Sequence, residues 1–155
     1  MNTITFNADT ALIEVKPPKG ILELALASLS QGNISGAVDQ FAERSTFTDH
    51  ALDLEFTEKS RLTEFLQKSR ELFPDTFVEI VSAFESGDRA IAEWKLTATQ
   101  TMPYGSIHLR SRISLQGASI VQVKDGKITR WSDYYDQSKS RRAGLAAYFT
   151  EWIEY

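Results

Sequence analysis

The sequence predicts an α+β domain in which helices come first and a meandering sheet follows. Apolar residues at helical spacing recur in the first half, at Ile21, Leu22, Ala25, Leu26 and Leu29 and again at Leu62, Phe65, Leu66, Leu72 and Phe73. From Thr76 onward the texture changes to β-rich runs. Asp125-Gly126 then sits between two such runs, the strongest short-range hairpin signal. No repeat, low-complexity segment or linker divides the chain, so residues 1–155 read as one domain.

Taken in order, residues 1–18 read as an irregular, polar lead-in, because Pro17-Pro18 interrupts regular structure. The first helix follows and stops at Gln31-Gly32-Asn33, a glycine terminus. Ala37, Val38 and Phe41 suggest a second, shorter helix. Residues 45–56 read as extended chain or a short hairpin, with Phe47 and Asp49 on one face. Thr57 can cap a helix over 58–73 that Pro74-Asp75 closes. Strands are expected over 76–85 and 89–100, joined at Ser86-Gly87-Asp88. A loop around Pro103-Tyr104-Gly105 leads to a strand over 107–123, in which Gly117 suggests a bulge or kink. After the strand over 127–136, residues 139–152 offer a C-terminal helix with Leu145, Tyr148, Phe149 and Trp152 on one side.

Composition excludes several functions. The chain has 155 residues, 42% hydrophobic and 25% charged, which suits one soluble domain with a sizeable core. A net charge of −4 gives no attraction to nucleic acid or an anionic membrane surface. The absence of cysteine removes disulfides, thiolate metal sites and cysteine nucleophiles, and fits a reducing cytoplasm. The opening residues lack a basic n-region and an apolar h-region, and no apolar run approaches the ~20 residues that span a bilayer. A soluble, cytoplasmic protein is expected. With two histidines far apart, no metal site is expected either. Phosphate loops, dinucleotide fingerprints and nucleophile elbows are missing.

The chemistry-bearing residues cluster on the last strand. Trp131, Asp133 and Tyr135 are spaced by two and leave the strand on one face. A carboxylate between two aromatics suits a pocket, where burial would raise its pKa toward an acid/base range. The alternative is a carboxylate bonded to a nearby backbone group or hydroxyl that merely stiffens the sheet. Asp49 offers a second carboxylate, so that one could act as acid and the other as base; capping the turn before Ala51, or pairing with an arginine, is its structural alternative. His50 leaves the strand on the opposite face from Asp49 unless the chain bends there. His108 shares parity with Arg110 and Arg112, which reads as an outer face. Lys139, Arg141 and Arg142 read as a solvated cluster.

Between about Gly20 and Asp136, and most closely in A-E-W-K-L-T-A-T (92–99) and D-G-K-I-T-R-W-S-D-Y-Y-D (125–136), the chain resembles the SnoaL-like polyketide cyclases. These form a branch of the nuclear transport factor 2-like superfamily that also holds ketosteroid isomerases and limonene epoxide hydrolases. The resemblance implies a cone-shaped, curved, mixed or antiparallel sheet with three helices packed in its concave side. It also implies a pocket in the cone, a homodimer formed through the sheet, and no cofactor or metal. By position, Asp49 matches the isomerase base, while Ala25 stands where those enzymes hold an oxyanion-hole tyrosine. Ser119 stands where the isomerases hold a protonated, neutral aspartic acid, and where the cyclases hold their acid/base aspartate. Asp133 matches the second aspartate of the epoxide hydrolases, whose arginine and aspartate pair is replaced by Trp94 and Leu96.

The reading that results is a cofactor-independent acid/base enzyme, isomerase- or cyclase-like, acting on a small hydrophobic carbonyl compound. Asp133 and Asp49 would move the proton, while Trp94, Trp131, Tyr135, Ser119 and Phe47 line the ligand site. One alternative is a non-catalytic ligand-binding or dimeric interaction module that kept the fold. Another is an epoxide hydrolase-like enzyme. A filled cone would remove the enzyme, and an open one with both carboxylates inside would remove a purely structural role.

Overall fold

The computed structural model describes residues 3–6 and 12–138. In place of an irregular lead-in, β1 (Thr3–Phe6) and β2 (Leu12–Val15) pair antiparallel as a separate two-stranded sheet. Pro17-Pro18 does not block structure but starts it: Pro17 is the N-cap of α1 (Pro18–Ser30). Proline suits the first turn, because its missing N–H would have had no partner there. α1 stops at Gln31-Gly32, with Gly32 at φ +75°.

α2 (Ile34–Val38) is capped by Asn33, whose Oδ1 accepts from the Gly36 N–H at 3.0 Å. Phe41, expected in that helix, instead opens β3 (Phe41–Asp49), which pairs with β4 (Leu54–Phe56). α3 (Lys59–Leu72) begins after Glu58, without the side-chain cap expected from Thr57. β5 (Phe77–Ser86) and β6 (Arg89–Tyr104) form a hairpin, and β6 runs through the expected loop at Pro103 to a turn at Gly105. β7 (Ile107–Lys124) and β8 (Lys127–Tyr135) are joined by Asp125-Gly126, both at positive φ as the tight hairpin turn requires. The C-terminal helix expected over 139–152, and with it Lys139, Arg141 and Arg142, lies outside the described residues.

The main sheet is mixed, with strand order β4-β3-β8-β7-β6-β5 and a parallel pairing of β3 with β8. α1 packs on β5, β6 and β7, and α3 packs on β3 and β4. Their apolar stripes explain this: Ile21, Leu22, Ala25 and Leu26 of α1 are buried, as are Leu62, Phe65 and Leu66 of α3. Each such fully buried large side chain stabilises the fold by roughly 1.5–3 kcal/mol. The outer face of the sheet carries no helix among the described residues, and Phe77, Val81, Phe84 and Tyr134 stand exposed there.

Register brings distant residues into rows on the inner face. Asp49 faces Asp133, Asp133 faces Ser119, and Ser119 faces Ala92. In the next rows Phe47 faces Trp131 on one side, and Tyr135, Gly117 and Trp94 stand in line on the other. Pairing shifts occur in β5 between Ile80 and Ser82, and between β7 and β8 beyond Gln122, rather than at Gly117. Gly117 is instead a point of close approach: a Cβ there would lie 2.7 Å from Trp94 Cη2, 2.7 Å from Tyr135 Cβ and 2.5 Å from the Tyr134 carbonyl.

Candidate functional site

The helices leave a cavity of about 180 Å³ between themselves and the inner face of the sheet. Phe47, Asp49, Trp94, Ser119, Trp131, Asp133 and Tyr135 all line it, so the residues singled out from sequence come together in one place. Most of the remaining wall is apolar, including Leu26, Leu66, Leu96, Ala98 and Leu115. An engineered apolar cavity of about 150 Å³ holds benzene. The space here therefore suits one ring.

Asp133 is held from one side only. Ser119 Oγ and Trp131 Nε1 each lie 2.5 Å from its Oδ1. Ser119 Oγ in turn receives the Trp94 indole N–H at 2.9 Å. Oδ2 has no hydrogen bond among the described residues, and Asp133 borders the cavity. Burial, and then the neighbouring charge of Asp49, push the Asp133 pKa up to about 7, against the two bonds to Oδ1. The β3–β8 register explains the Asp49 effect, because paired residues sit on strands about 4.8 Å apart.

Asp49 is engaged at both oxygens. Its Oδ1 accepts the Leu52 N–H at 2.9 Å, and its Oδ2 accepts the Tyr135 hydroxyl at 2.9 Å. Asp49 thus caps the turn after β3 and also borders the cavity. Burial raises its pKa, while the bonds from Leu52, Tyr135 and Ala51 and the proximity of His50 oppose the rise. Burial and the Asp49 charge raise the Tyr135 pKa, so its hydroxyl stays protonated. His50 lies on the opposite face, as its parity predicts, with its ring stacked on Tyr134 at 4.3 Å.

The aromatics have separate jobs. Trp131 is 1% exposed and stacks between Phe41 at 5.7 Å and Phe47 at 6.0 Å, which fixes the direction of its N–H. Trp94 lies 6.0 Å from Tyr135, over the space that Gly117 leaves empty. Ser119 is buried, and both of its hydroxyl bonds are directed within the sheet face. His108 is exposed, as are Ile107 and Leu109 of the opposite parity.

Two participants are not singled out by the sequence reading. Leu52 contributes only a backbone N–H, which side-chain patterns cannot reveal. Arg70 lines the cavity and donates to the Ser30 and Thr76 carbonyls at 3.3 and 3.2 Å, tying α1 to the start of β5. Its spacing of four from Leu66 and eight from Leu62 is the available signal. No group of three or more metal-ligating side chains occurs among the described residues, and no described helix is long and apolar enough to cross a membrane.

Among solved structures, a protein with a ketosteroid isomerase-like fold from Catenulispora acidiphila, in complex with trimethylamine, superposes with a TM-score of 0.69 at 20% identity. It covers 90% of this chain and 100% of that one. IdmH, a polyketide cyclase candidate from Streptomyces antibioticus, gives a TM-score of 0.71 at 11% identity, over 84% of this chain and 100% of that one. An NTF2-like protein from Burkholderia thailandensis gives 0.70 at 13% identity, over 84% and 98%. At such identities these likenesses concern the fold, which is the nuclear transport factor 2-like one. No curated protein matches the sequence at a significant level. The SnoaL-like domain matches residues 22–131, most of the chain and every strand and helix from α1 into β8, and the protein belongs to that family.

Proposed function

We propose that the protein is a cofactor-independent acid/base catalyst that moves a proton on a small hydrophobic carbonyl compound bound in the cavity. One observation carries this reading: Asp133 borders an apolar cavity with one oxygen fixed by two donors and the other without a hydrogen bond among the described residues. A carboxyl group with a pKa about 7 exchanges protons readily near neutral pH, as a general base or acid must. Asp133 removes a proton beside the carbonyl and returns it elsewhere. Asp49, engaged at both oxygens, orients the Tyr135 hydroxyl and raises the Asp133 pKa rather than carrying the proton itself.

The test is solvent exchange of the α-protons of a ring ketone such as cyclohexanone, followed by NMR in deuterated water. Wild-type protein accelerates exchange, and Asp133→Asn loses most of that acceleration while remaining folded. Equal exchange in both would sink the proposal.

A second reading is a ligand-binding module without turnover. It is favoured by the commitment of the other donors: the Tyr135 hydroxyl, the Ser119 hydroxyl and both indole N–H groups already have acceptors. Ligand-induced stabilisation without α-proton exchange would select it. For assembly we propose a homodimer through the outer sheet face, where Phe77, Val81 and Phe84 are 56–59% exposed. Sedimentation of Phe84→Asp against wild type tests this.

A further inference from the structure

We infer that Ser119 is a positioning residue, which, with its hydroxyl aimed by Trp94, assigns the two oxygens of Asp133 so that proton exchange takes place at Oδ2. This rests on the proton-transfer reading for its consequence in turnover, but its geometric content stands apart from it.

The assignment follows from the donor inventory. An indole N–H can only donate. Trp94 Nε1 lies 2.9 Å from Ser119 Oγ, so Oγ accepts there and its own hydrogen is directed elsewhere. The remaining partner is Asp133 Oδ1 at 2.5 Å. Trp131 Nε1, also a pure donor, meets the same Oδ1 at 2.5 Å. An oxygen that receives two short hydrogen bonds has no room for a proton of its own. When the carboxyl group is neutral, its proton therefore sits on Oδ2, the oxygen without a hydrogen bond among the described residues, in a residue that borders the cavity. Rotating the group to exchange the oxygens would point a hydroxyl hydrogen at two other hydrogens. Ser119 is 1% exposed, so water does not compete for its hydroxyl. Its strand neighbour Gly117 leaves the clearance that lets the Trp94 indole lie where it does.

Other titratable or charged groups border the same cavity. Asp49 faces it from β3, Tyr135 stands two residues along β8, and Arg70 lines the cavity from α3. Among the described residues, α1, α2, β5, β6 and β7 contribute no titratable side chain to the cavity wall. Ser119 is thus, beside Trp131, a neutral donor that sets the carboxyl's orientation, while Asp49 contributes to the charge that it feels.

The experiment is direct titration of Asp133 in ligand-free, full-length protein carrying ¹³C at the aspartate carboxyl carbons. The signal is assigned by its loss in Asp133→Asn. Ser119→Ala removes a bond that favours the ionised form, so the midpoint moves upward by about one pH unit. Ser119→Thr, which keeps the hydroxyl, restores the wild-type midpoint. Trp94→Phe, which frees the hydroxyl to turn away, moves it in the same direction by less. An unchanged midpoint in Ser119→Ala and Trp94→Phe overturns the inference, as does a failure of Ser119→Thr to restore it. If Ser119→Ala shifts the midpoint while Asp133→Asn keeps full α-proton exchange, the positioning role stands and the proton-transfer reading falls.

Discussion

Ser119 Oγ and Asp133 Oδ1 lie 2.5 Å apart at the same register position of neighbouring antiparallel strands. The contact is built by the backbone pairing of β7 and β8 before any side chain is chosen, because directly opposite residues share a face. Asp49 joins the same row through the parallel pairing of β3. Two carboxyl groups in adjacent strands under a layer of helices cannot both ionise at low cost. The bonds from Leu52 and Tyr135 favour the charged form of Asp49, while burial and the Asp49 charge raise the pKa of Asp133.

This arrangement predicts an unusual dependence of stability on pH. The Asp133 pKa rises from 3.8 unfolded to about 7 folded, so between these values the native state binds the extra proton. Stability is therefore full below the unfolded value and falls as pH climbs toward 7, by up to about 1.4 kcal/mol per pH unit for one proton. Asp49, whose pKa is also raised, adds to the fall in the same direction. Urea unfolding at pH 5, 6, 7 and 8 shows wild type losing stability along the series. Asp133→Asn loses less, and is the more stable of the two at pH 8.

Much of this site is legible in the residues alone, because strand parity is a strict rule. The spacing of Trp131, Asp133 and Tyr135 places them on one face, and Asp125-Gly126 fixes where β8 begins. Parity also separates Asp49 from His50. The pairing across strands is not legible. The parallel partnership of β3 with β8 brings residues 84 positions apart side by side, as in Asp49 and Asp133, and no local pattern encodes it. Gly117 reads as a bulge from sequence, yet glycine in a strand signals either a bulge or close approach. Only the positions of Trp94 and Tyr135 decide between these. The pairing of β1 with β2 is hidden because Pro17-Pro18 looks like a breaker of the segment before it, when its effect lies in starting α1.

Asp49 and Asp133 are coupled, and removing one charge relaxes the other. Asp49→Asn keeps an oxygen for the Leu52 N–H and an amide that can donate to Tyr135 Oη. It removes the second-largest cause of the Asp133 rise. The Asp133 midpoint then moves down from about 7, and the low-pH limb of any α-proton exchange profile moves with it. Carboxyl-carbon NMR titration of Asp49→Asn measures the shift. A midpoint that stays in place means the carboxyl groups do not interact.

Gly117 predicts an overpacking penalty close to the site. A methyl group there meets Trp94, Tyr135 and the Tyr134 carbonyl at 2.5–2.7 Å, and the carbonyl belongs to the paired backbone. Gly117→Ala destabilises the protein by about 1–3 kcal/mol. It also pushes the Trp94 indole from Ser119, which changes the indole N–H chemical shift of Trp94. Denaturant unfolding and the indole region of a ¹H–¹⁵N spectrum report the two effects together. Gly87 is the control, because a Cβ there meets nothing within 4 Å, although its φ of +59° carries its own strain.

The cavity can be filled without touching the carboxyl groups. Ala98 is 0% exposed and lines the space from β6, opposite Ile113. Replacing it by leucine adds three carbons that point toward the cavity, and about 180 Å³ is enough to receive them without displacing the helices. The variant folds with a melting temperature close to that of wild type, because new apolar contacts offset the side-chain ordering. A ring ketone at a concentration one hundred times its dissociation constant stabilises wild type by about 2.7 kcal/mol, read as a rise in melting temperature. The same concentration leaves Ala98→Leu unshifted. Since residue 98 is on a different strand from Asp133 and makes no bond to it, loss of the shift locates the ligand in the cavity. A shift that survives in Ala98→Leu places the ligand elsewhere on the protein.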